Sequence, residues 1–303
     1  MRILITGVTG YLGGKLAGAL ATAGHEVVGT SRNPSRASAI VGVSRLFAWA
    51  PLDEPLPADA LAGVDGIVHL VGEPVTGRWT AAKKQRLYDS RVESARNIVR
   101  GIEASSDRPS VIVGGSGIGY YGDRGDDELP ETEAMGTDFL ARLSADWESA
   151  VLDAERLGVR AVVSRTGLVV GKGAPFLRPQ LPLFKLGLGG RMGSGDQWWA
   201  WVHVDDFTGL IRFALENDTV RGPMNVVGPH AARQRDFAKL FGRALRRPAL
   251  TWAPAIVIRL MLGEFAGEVL TSKRGIPEVA LSAGYRFAYP DLESALRDAV
   301  ARD

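Results

Sequence analysis

Three glycines near the amino terminus have a spacing that suits the binding of a phosphate group. Gly7, Gly10 and Gly13 stand three residues apart, directly after an apolar run and at the start of a helical pattern. There, glycine permits a tight turn and close approach of the backbone to a pyrophosphate, and the N–H groups at the helix start attract anions. The pattern predicts a dinucleotide site, with a ligand-free glycine turn as the alternative. A nucleoside-triphosphate loop is excluded, since it requires glycine in place of Thr9 and a hydroxyl in place of Leu16.

The second apolar run ends in residues that could bind a further phosphate. A cofactor without a 2′-phosphate is usually held at this place by an acidic residue, through its ribose hydroxyl. The chain offers Ser31 and Arg32 instead, a hydroxyl and a guanidinium that suit a phosphate. The pair favours NADP(H) over NAD(H). The alternative is that Arg32 is only a solvated loop cation.

A regular alternation of strands and helices positions these residues. Such an order predicts right-handed parallel crossovers, and therefore an α/β fold with a Rossmann-type doubly wound parallel sheet. Ligands of such sheets lie at the carboxyl ends of the strands. Strands are expected at residues 2–6, 26–30, 66–71, 110–114 and 160–164, and helices at residues 11–23, 56–62, 80–104 and 138–157.

The rhythm changes after residue 165 and predicts a second, smaller domain. We expect residues 1–165 to form the NADP-binding Rossmann domain, completed by about 197–230. Residues 166–196 and 231–303 are expected to form a smaller α+β substrate cap. In this half, helices are expected at residues 205–216, 236–246 and 291–301, and a strand at residues 223–227.

Composition argues against several other classes of protein. Hydrophobic residues make up 46% of the 303 and charged residues 23%, which does not suit a disordered chain. The net charge is +2 without a long basic stripe, so no nucleic-acid partner is expected. The chain has no cysteine, and neither a signal peptide nor a membrane span is expected. We predict a cytoplasmic monomer or homodimer, with residues 256–262 as a candidate dimer contact.

Longer blocks of sequence resemble one protein family. Residues 6–13, Thr-Gly-Val-Thr-Gly-Tyr-Leu-Gly, resemble the start of an extended short-chain dehydrogenase/reductase. Later blocks look like the group called epimerase family proteins, which is NAD-dependent epimerase/dehydratase-like and has its own short C-terminal domain. These blocks lie at residues 69–74, 116–122 and 187–206, and the C-terminal match lies at residues 262–264, 283–287 and 290–293.

The resemblance implies a set of cofactor contacts. Residues 9–12 would give backbone N–H groups to the pyrophosphate, residues 70–73 would run beside the adenosine, and residues 166–168 would flank the nicotinamide. Together with the residues singled out by spacing, the predicted cofactor set is Gly7, Thr9, Gly10, Tyr11, Leu12, Gly13, Ser31, Arg32, Leu70, Val71, Gly72, Glu73, Arg91, Ser116, Thr166, Gly167 and Leu168.

The sequence departs from the wider short-chain dehydrogenase/reductase superfamily in its catalytic residues. Hydride-transferring relatives use a tyrosine and a lysine four residues apart, which protonate the substrate oxygen and hold the ribose. The corresponding pairs here are Phe139 with Leu143 or, one residue along, Leu140 with Ser144. The remaining candidates for acid–base chemistry are Ser116, Tyr121 and Glu73, for each of which ordinary packing is the alternative.

The cap offers candidate substrate contacts. Glycines crowd residues 187–195, and three tryptophans follow within residues 198–201. Such a segment suits a lid or the wall of an apolar pocket, with core packing as the alternative. The candidate substrate residues are Arg78, Arg191, Gln197, Trp199 and His203. No metal is expected, because the four histidines lack ligand spacing.

Two functions follow from these patterns. One is an NADP(H)-dependent oxidoreductase or epimerase that acts on a small polar or sugar-like molecule. The other is a non-catalytic NADP(H)-binding sensor or scaffold, which the missing tyrosine and lysine favour.

Overall fold

A parallel sheet of seven strands forms the centre of the fold. The computed structural model describes residues 1–36 and 40–301. The sheet has the order β3-β2-β1-β4-β5-β6-β7, and all neighbouring strands are parallel. The strands are β1 (Arg2–Thr6), β2 (Glu26–Ser31), β3 (Val43–Ala48), β4 (Gly66–His69), β5 (Val111–Gly117), β6 (Arg160–Thr166) and β7 (Gly222–Val226).

Helices cover both faces of the sheet and continue into the C-terminal part. The α-helices are α1 (Tyr11–Thr22), α2 (Ala58–Leu61), α3 (Ala81–Ala104), α4 (Phe139–Leu152), α5 (Leu181–Lys185), α6 (Val204–Glu216), α7 (Gln234–Ala244), α8 (Ala255–Leu262), α9 (Ala266–Leu270), α10 (Glu278–Ser282) and α11 (Leu292–Val300). Short 3-10 turns lie at residues 34–36, 118–121, 153–157 and 263–265.

The apolar faces of the helices build one core on each side of the sheet. On one side, α3 and α4 pack with buried residues that include Ile98 and Val151. On the other side, α1 and α6 contribute Leu16 and Phe207. The continuous apolar strands are therefore buried on both faces, as parallel sheets require. This arrangement confirms the Rossmann-type fold expected from the sequence.

The C-terminal part has a core of its own, built largely from aromatic side chains. Trp199, Trp201, Phe237 and Phe241 are buried there with residues of α11. Four pairs of short strands connect this part internally and to the sheet domain: 168–170 with 201–203, 198–199 with 232–233, 190–192 with 251–253, and 128–129 with 274–275. Ala280 of α10 packs instead into the core beneath the sheet, so the chain returns to the first domain near its end.

The structure confirms most expected elements and adds several, among them β3 and α8. The helix expected at residues 138–157 ends at Leu152 and continues as a 3-10 turn, which Gly158 closes in a left-handed conformation with φ 79°. β3 was not predicted, since this edge strand exposes Ser44 and Arg45 and lacks a clear apolar run. α8 was not predicted as a helix. Among the described residues, no helix is long and apolar enough to cross a membrane.

Candidate functional site

The glycine turn after β1 is tightly packed. Gly7 has φ 77°, and a Cβ built on it would lie 2.8 Å from the carbonyl oxygen of Leu70. A Cβ on Gly13 would lie 2.4 Å from the carbonyl oxygen of Gly7. No side chain caps the start of α1, and its first turn has no acidic residue. The free N–H groups of this turn can therefore receive an anion.

A cleft of about 650 Å³ opens beside this turn, at the carboxyl ends of β1, β2 and β4. It is lined by residues from the glycine turn, from the end of β2, from the loop after β3, from the loop after β4 and from α3. These residues are Gly7, Thr9, Gly10, Thr30, Ser31, Arg32, Asn33, Trp49, Ala50, Pro51, Leu52, Asp53, Leu70, Val71, Gly72, Glu73, Pro74, Arg86, Asp89 and Ser90. The cleft thus brings together nine of the seventeen predicted cofactor residues.

Ser31 and Arg32 lie at the rim of this cleft. The Ser31 hydroxyl oxygen accepts a hydrogen bond from the Asn33 backbone N–H at 3.2 Å, which fixes the turn after β2. The Arg32 side chain is exposed, and no carboxylate of residues 1–36 or 40–301 forms an ion pair with it. Its guanidinium is therefore available to an anionic group of a ligand.

Glu73 lines the cleft from the loop after β4. Its carboxylate forms ion pairs with Lys83 at 2.8 Å and with Arg86 at 3.6 Å. The hydrogen bond from Lys83 and the two positive charges lower the pKa of Glu73. The Glu73 backbone N–H donates to the Ser90 hydroxyl at 2.9 Å, which ties this loop to α3. An ionised carboxylate held in this way can accept a hydrogen bond from a ribose hydroxyl.

Arg91 and His69 lie behind the loop after β4. The Arg91 guanidinium contacts the backbone at Gly72, where a Cβ would lie 3.2 Å from its Cζ, and it is 5.3 Å from the ring centre of Trp147. Burial lowers the pKa of Arg91 to about 10. His69 is fully buried between the hydroxyls of Thr6 and Ser94, at 2.7 and 3.0 Å, and burial lowers its pKa to about 3.

Ser116 belongs to a buried polar network. Its hydroxyl donates to Glu148 Oε1 at 2.6 Å. Glu148 also accepts two hydrogen bonds from Arg165, at 2.9 and 2.8 Å. The three residues are at most 8% exposed. Because its hydroxyl hydrogen is already bound, Ser116 has no proton ready for a substrate, and the geometry favours a structural role.

Tyr121 lies in the same network. Arg165 donates to the Tyr121 hydroxyl oxygen at 2.9 Å, and the hydroxyl contacts Asn225 Oδ1 at 2.9 Å and the carbonyl oxygen of Pro130 at 3.1 Å. The side chain has no exposed surface, and burial raises its pKa to about 12. This network fastens the end of β5 to β6 and β7, so Tyr121 is placed as a structural residue rather than in the cleft.

The α-helix that follows β5 contains no replacement for the missing tyrosine and lysine. α4 contains neither tyrosine nor lysine. Leu140, Leu143 and Ser144 are buried, and Phe139 packs on Trp79 with ring centres 5.5 Å apart. The structure therefore agrees with the sequence that α4 carries no tyrosine–lysine pair.

The segment at residues 166–168 joins the sheet to the C-terminal part. The Gly167 N–H donates to Val226 at 3.1 Å, and a Cβ on Gly167 would lie 2.6 Å from the carbonyl oxygen of Ala200. Leu168 begins the short strand that pairs with residues 201–203. These residues lie at the carboxyl end of β6, outside the residues that line the cleft.

Two of the five candidate substrate residues face solvent or the domain junction. Arg78 donates to the carbonyl oxygen of Leu260 at 2.9 Å, so it holds α8 close to the loop after β4. Arg191 is exposed and lies 5.5 Å from the ring centre of Trp252. Arg78 therefore stays beside the loop after β4, whereas Arg191 lies in the strand pair 190–192 and 251–253 of the C-terminal part.

The other three are part of the C-terminal core. The Gln197 amide donates to the carbonyl oxygens of Met192 and Val269, each at 3.0 Å. Trp199 is 2% exposed, and its indole N–H also donates to Val269, at 3.2 Å. Their polar atoms are already bound, which favours the packing alternative.

His203 caps α6 from within the same core. Its Nδ1 accepts from the Asp205 N–H at 3.2 Å, and Nε2 lies 3.0 Å from Asp298 Oδ2. The ring stacks on Tyr289 with centres 3.8 Å apart. These contacts give His203 a structural role that requires no substrate. In the part of the chain that the structure describes, no group of three or more potential metal ligands occurs.

Sequence reasoning missed the wall of the cleft formed by residues 49–53. This loop follows β3, the edge strand that the sequence did not reveal. It also missed Glu148 and Arg165, which are 17 positions apart and meet only because α4 packs on β6. The sequence carried a weak signal for Arg165 alone, a charged residue shortly after the apolar run at residues 161–163.

Comparisons with known proteins agree with this geometry. A sequence profile of the NAD-dependent epimerase/dehydratase family matches residues 3–247. A second profile, of a domain of unknown function (DUF1731), matches residues 253–299. The two together span nearly the whole chain.

Individual relatives align with nearly the whole of this chain. Epimerase family protein MT2273 of Mycobacterium tuberculosis is 35% identical over 302 residues, which cover 99% of this chain and 98% of that protein. The crystal structure of human epimerase family protein SDR39U1 with NADPH is 32% identical, covers 99% of both chains and has a TM-score of 0.89. A nucleoside-diphosphate sugar epimerase from Corynebacterium glutamicum is 29% identical, with a TM-score of 0.79 over 99% of this chain and 58% of that one.

Proposed function

The chain belongs to the NAD-dependent epimerase/dehydratase family, and from this we propose that it binds NADP(H) and acts as an oxidoreductase or epimerase on a small polar or sugar-like molecule. One observation carries the choice of cofactor. β2 ends in Ser31 and Arg32, and Arg32 stands exposed at the cleft without a carboxylate partner among the described residues. The NADPH bound to the human relative supports the same choice.

The residues of the cleft fit a dinucleotide. The backbone of residues 9–12 would hold the pyrophosphate, because Gly7 and Gly13 leave no room for a Cβ between this turn and the neighbouring backbone. Ser31 and Arg32 would hold the 2′-phosphate, and residues 70–73 would run beside the adenosine. Arg91 would act through its contact with the backbone at Gly72.

The nicotinamide end would lie where β5 and β6 finish, near residues 116–119 and 166–168. A bound nicotinamide cofactor supplies hydride transfer to or from a carbon of the substrate. We propose that residues 1–165, completed by about 197–230, hold the cofactor. Residues 166–196 and 231–303 would cover the substrate and exclude water from it.

The choice of cofactor is tested by a charge reversal at Arg32. Arg32→Asp should weaken NADPH binding by about 10- to 100-fold, the loss expected of a charge-assisted contact to phosphate, and leave NADH binding nearly unchanged. Calorimetric titration measures both affinities. Arg221→Asp is the matched control, since Arg221 is exposed and precedes β7 at the opposite edge of the sheet. Equal affinities for NADPH and NADH before and after the change at Arg32 would remove the basis of the preference.

A second function is favoured by the composition of α4, which has no tyrosine and no lysine. In that case the protein binds NADP(H) as a sensor or scaffold and reports the state of the cofactor to a partner. Single-turnover oxidation of bound NADPH, measured against a panel of carbonyl compounds and sugar nucleotides, separates the two. Turnover with any compound supports the enzyme, and tight NADPH binding without turnover across the panel supports the sensor.

A further inference from the structure

A segment of the C-terminal part lies across the carboxyl edge of the sheet. Residues 260–268, called the cap segment below, comprise the end of α8, a 3-10 turn and the start of α9. Arg78 donates to the Leu260 carbonyl oxygen, Lys84 pairs with Glu264, and the rings of Trp79 and Phe265 lie 5.9 Å apart. The cap segment is thereby anchored to the loop after β4 and to the start of α3.

At its far end the cap segment brings a carboxylate to the end of β5. A Cβ built on Gly119 would lie 3.7 Å from Glu268 Oε2 and 3.3 Å from the Cβ of Leu140. Gly119 belongs to the turn directly after β5, where ligands of such sheets bind. Leu140 is one of the two positions at which related hydride-transferring proteins would have their tyrosine. Glu268 therefore lies close to the position that the tyrosine of those proteins would occupy.

Glu268 has a cationic partner from the same domain. Lys273 Nζ lies 3.4 Å from Glu268 Oε1 and donates to the Thr271 hydroxyl at 2.6 Å. The Lys273 side chain is 6% exposed and that of Glu268 is 23% exposed. Within the described part of the chain, the second oxygen of Glu268, Oε2, accepts no hydrogen bond. One carboxylate oxygen is thus held by an ammonium group, and the other is free toward Gly119.

The position of Lys273 is fixed by the backbone around it. Its N–H donates to the carbonyl oxygen of Trp198 at 2.9 Å. The N–H of the preceding residue, Ser272, donates to Asp123 Oδ1 at 3.0 Å, and the Ser272 carbonyl oxygen accepts from the Arg124 N–H at 3.1 Å. The pair is therefore docked on the loop that follows β5, and it is held in place without a ligand.

We propose that Glu268 is the proton acceptor and donor for the substrate hydroxyl and that Lys273 is a positioning residue which holds its carboxylate. The C-terminal domain thus replaces the tyrosine–lysine pair absent from α4. The substrate class is an alcohol or its carbonyl counterpart. This inference rests on the proposed binding of NADP(H).

The proton transfer balances with the redox step. In the oxidation direction, the substrate O–H bond breaks and its proton bonds to Glu268 Oε2. The C–H bond of the carbon that bears this oxygen also breaks, and its hydride passes to the oxidised nicotinamide. The C–O single bond thereby becomes a carbonyl. In reduction, the protonated Glu268 returns the proton to the oxygen as the hydride arrives.

The absence of cysteine from the chain allows a direct test of where Glu268 faces. Glu268→Cys introduces a single thiol, and its alkylation by iodoacetamide is followed with and without NADPH. We expect NADPH to slow alkylation several-fold, and adenosine 2′,5′-bisphosphate, which lacks the nicotinamide, to leave it unchanged. Glu264→Cys is the matched control on the exposed part of the cap segment and should react at the same rate throughout. NADPH binding without any protection at position 268 overturns the proposal alone. If NADPH does not bind to the unsubstituted protein, both the proposed function and this inference fail.

The chemical role is tested by Glu268→Gln, which keeps the shape and removes the base. With the compounds that oxidise bound NADPH in the panel above, this change should lower the single-turnover rate by about 100-fold or more and leave NADPH affinity unchanged. Lys273→Gln should shift the pH profile of that rate, an effect that a merely structural lysine would not have. Glu264→Gln should change neither. A rate unaltered by Glu268→Gln contradicts the acid–base role.

Discussion

Glu148 and Arg165 form a buried ion pair joined by two hydrogen bonds. Arg165 Nε and Nη2 lie 2.9 and 2.8 Å from the two carboxylate oxygens, and the side chains are 4% and 6% exposed. Through Ser116 and Tyr121 the same pair reaches the end of β5. It therefore sets the position of the strand end at which we place the nicotinamide.

Removing the arginine of this pair should destabilise the fold. Arg165→Met leaves the Glu148 charge buried without its partner, and the free energy of unfolding should fall by about 3–5 kcal/mol. Urea denaturation measures the change. Arg156→Met is the control, because Arg156 makes the same paired contact with Glu103 at the surface and solvent screens it. Equal losses from the two changes would contradict the importance given to burial.

The glycine turn should tolerate no methyl group at residue 13. Gly13→Ala places a Cβ against the carbonyl oxygen of Gly7, so the turn must shift. We expect a loss of about 1–3 kcal/mol in stability, as for other overpacked sites, together with weaker NADPH binding. Gly18→Ala, on the same helix with no atom within 4 Å of the new Cβ, should instead stabilise by about 0.5–1 kcal/mol. Thermal unfolding with and without NADPH compares the two variants, and unchanged NADPH affinity in Gly13→Ala would count against the pyrophosphate site.

The free energy of unfolding should decrease as the pH is lowered, because of His69. Its pKa is about 3 in the folded protein and near 6.5 when unfolded, so between these values the unfolded chain binds more protons. The contribution of His69 is complete above pH 6.5 and is lost as the pH falls toward 3, with a slope of at most about 1.4 kcal/mol per pH unit. Urea unfolding between pH 7.5 and 5 should show this slope. It should disappear in His69→Gln and persist in His230→Gln, whose histidine is exposed; identical slopes in both variants would refute the assignment.

Trp199 should matter to folding rather than to ligand binding. Its ring packs on Phe176 and Phe237, with centres 5.4 and 5.3 Å away. Trp199→Ala should cost about 3–5 kcal/mol of unfolding free energy, as for other buried aromatic side chains. NADPH affinity should not change. Trp252→Ala, at a position 56% exposed, should have a much smaller effect on stability. A stable Trp199→Ala variant with a raised KM would support the substrate wall considered from the sequence.

The sequence predicts the fold well where apolar periodicity is strong. β1, β4 and β5 each contain an uninterrupted apolar run, and the strand-helix alternation limits the topology to a doubly wound sheet. The exception is β3, whose edge position lets it expose Ser44 and Arg45. Because β3 was not predicted, the loop at residues 49–53, which forms one wall of the cleft, was not predicted either.

The sequence predicts the site only where main-chain groups form it. The spacing of glycines after a strand predicts the glycine turn, and the family resemblance implies residues 70–73; both line the cleft. Gln197 and His203 looked like ligand contacts because polar side chains in a tryptophan-rich segment resemble a pocket. Their partners, Val269 and Asp298, are 72 and 95 positions away, and only the folded chain reveals them. Glu268 and Gly119 lie still further apart in the sequence, by 149 positions.

The central claim is that the cleft recognises a 2′-phosphorylated nicotinamide dinucleotide. One competition titration tests it on the unsubstituted protein, in which adenosine 2′,5′-bisphosphate and adenosine 5′-monophosphate each displace bound NADPH. Because Ser31 and Arg32 are proposed to contact the 2′-phosphate, the bisphosphate should displace NADPH at a concentration about 10- to 100-fold lower. Equal displacement by the two nucleotides, or no saturable NADPH binding, would contradict the account.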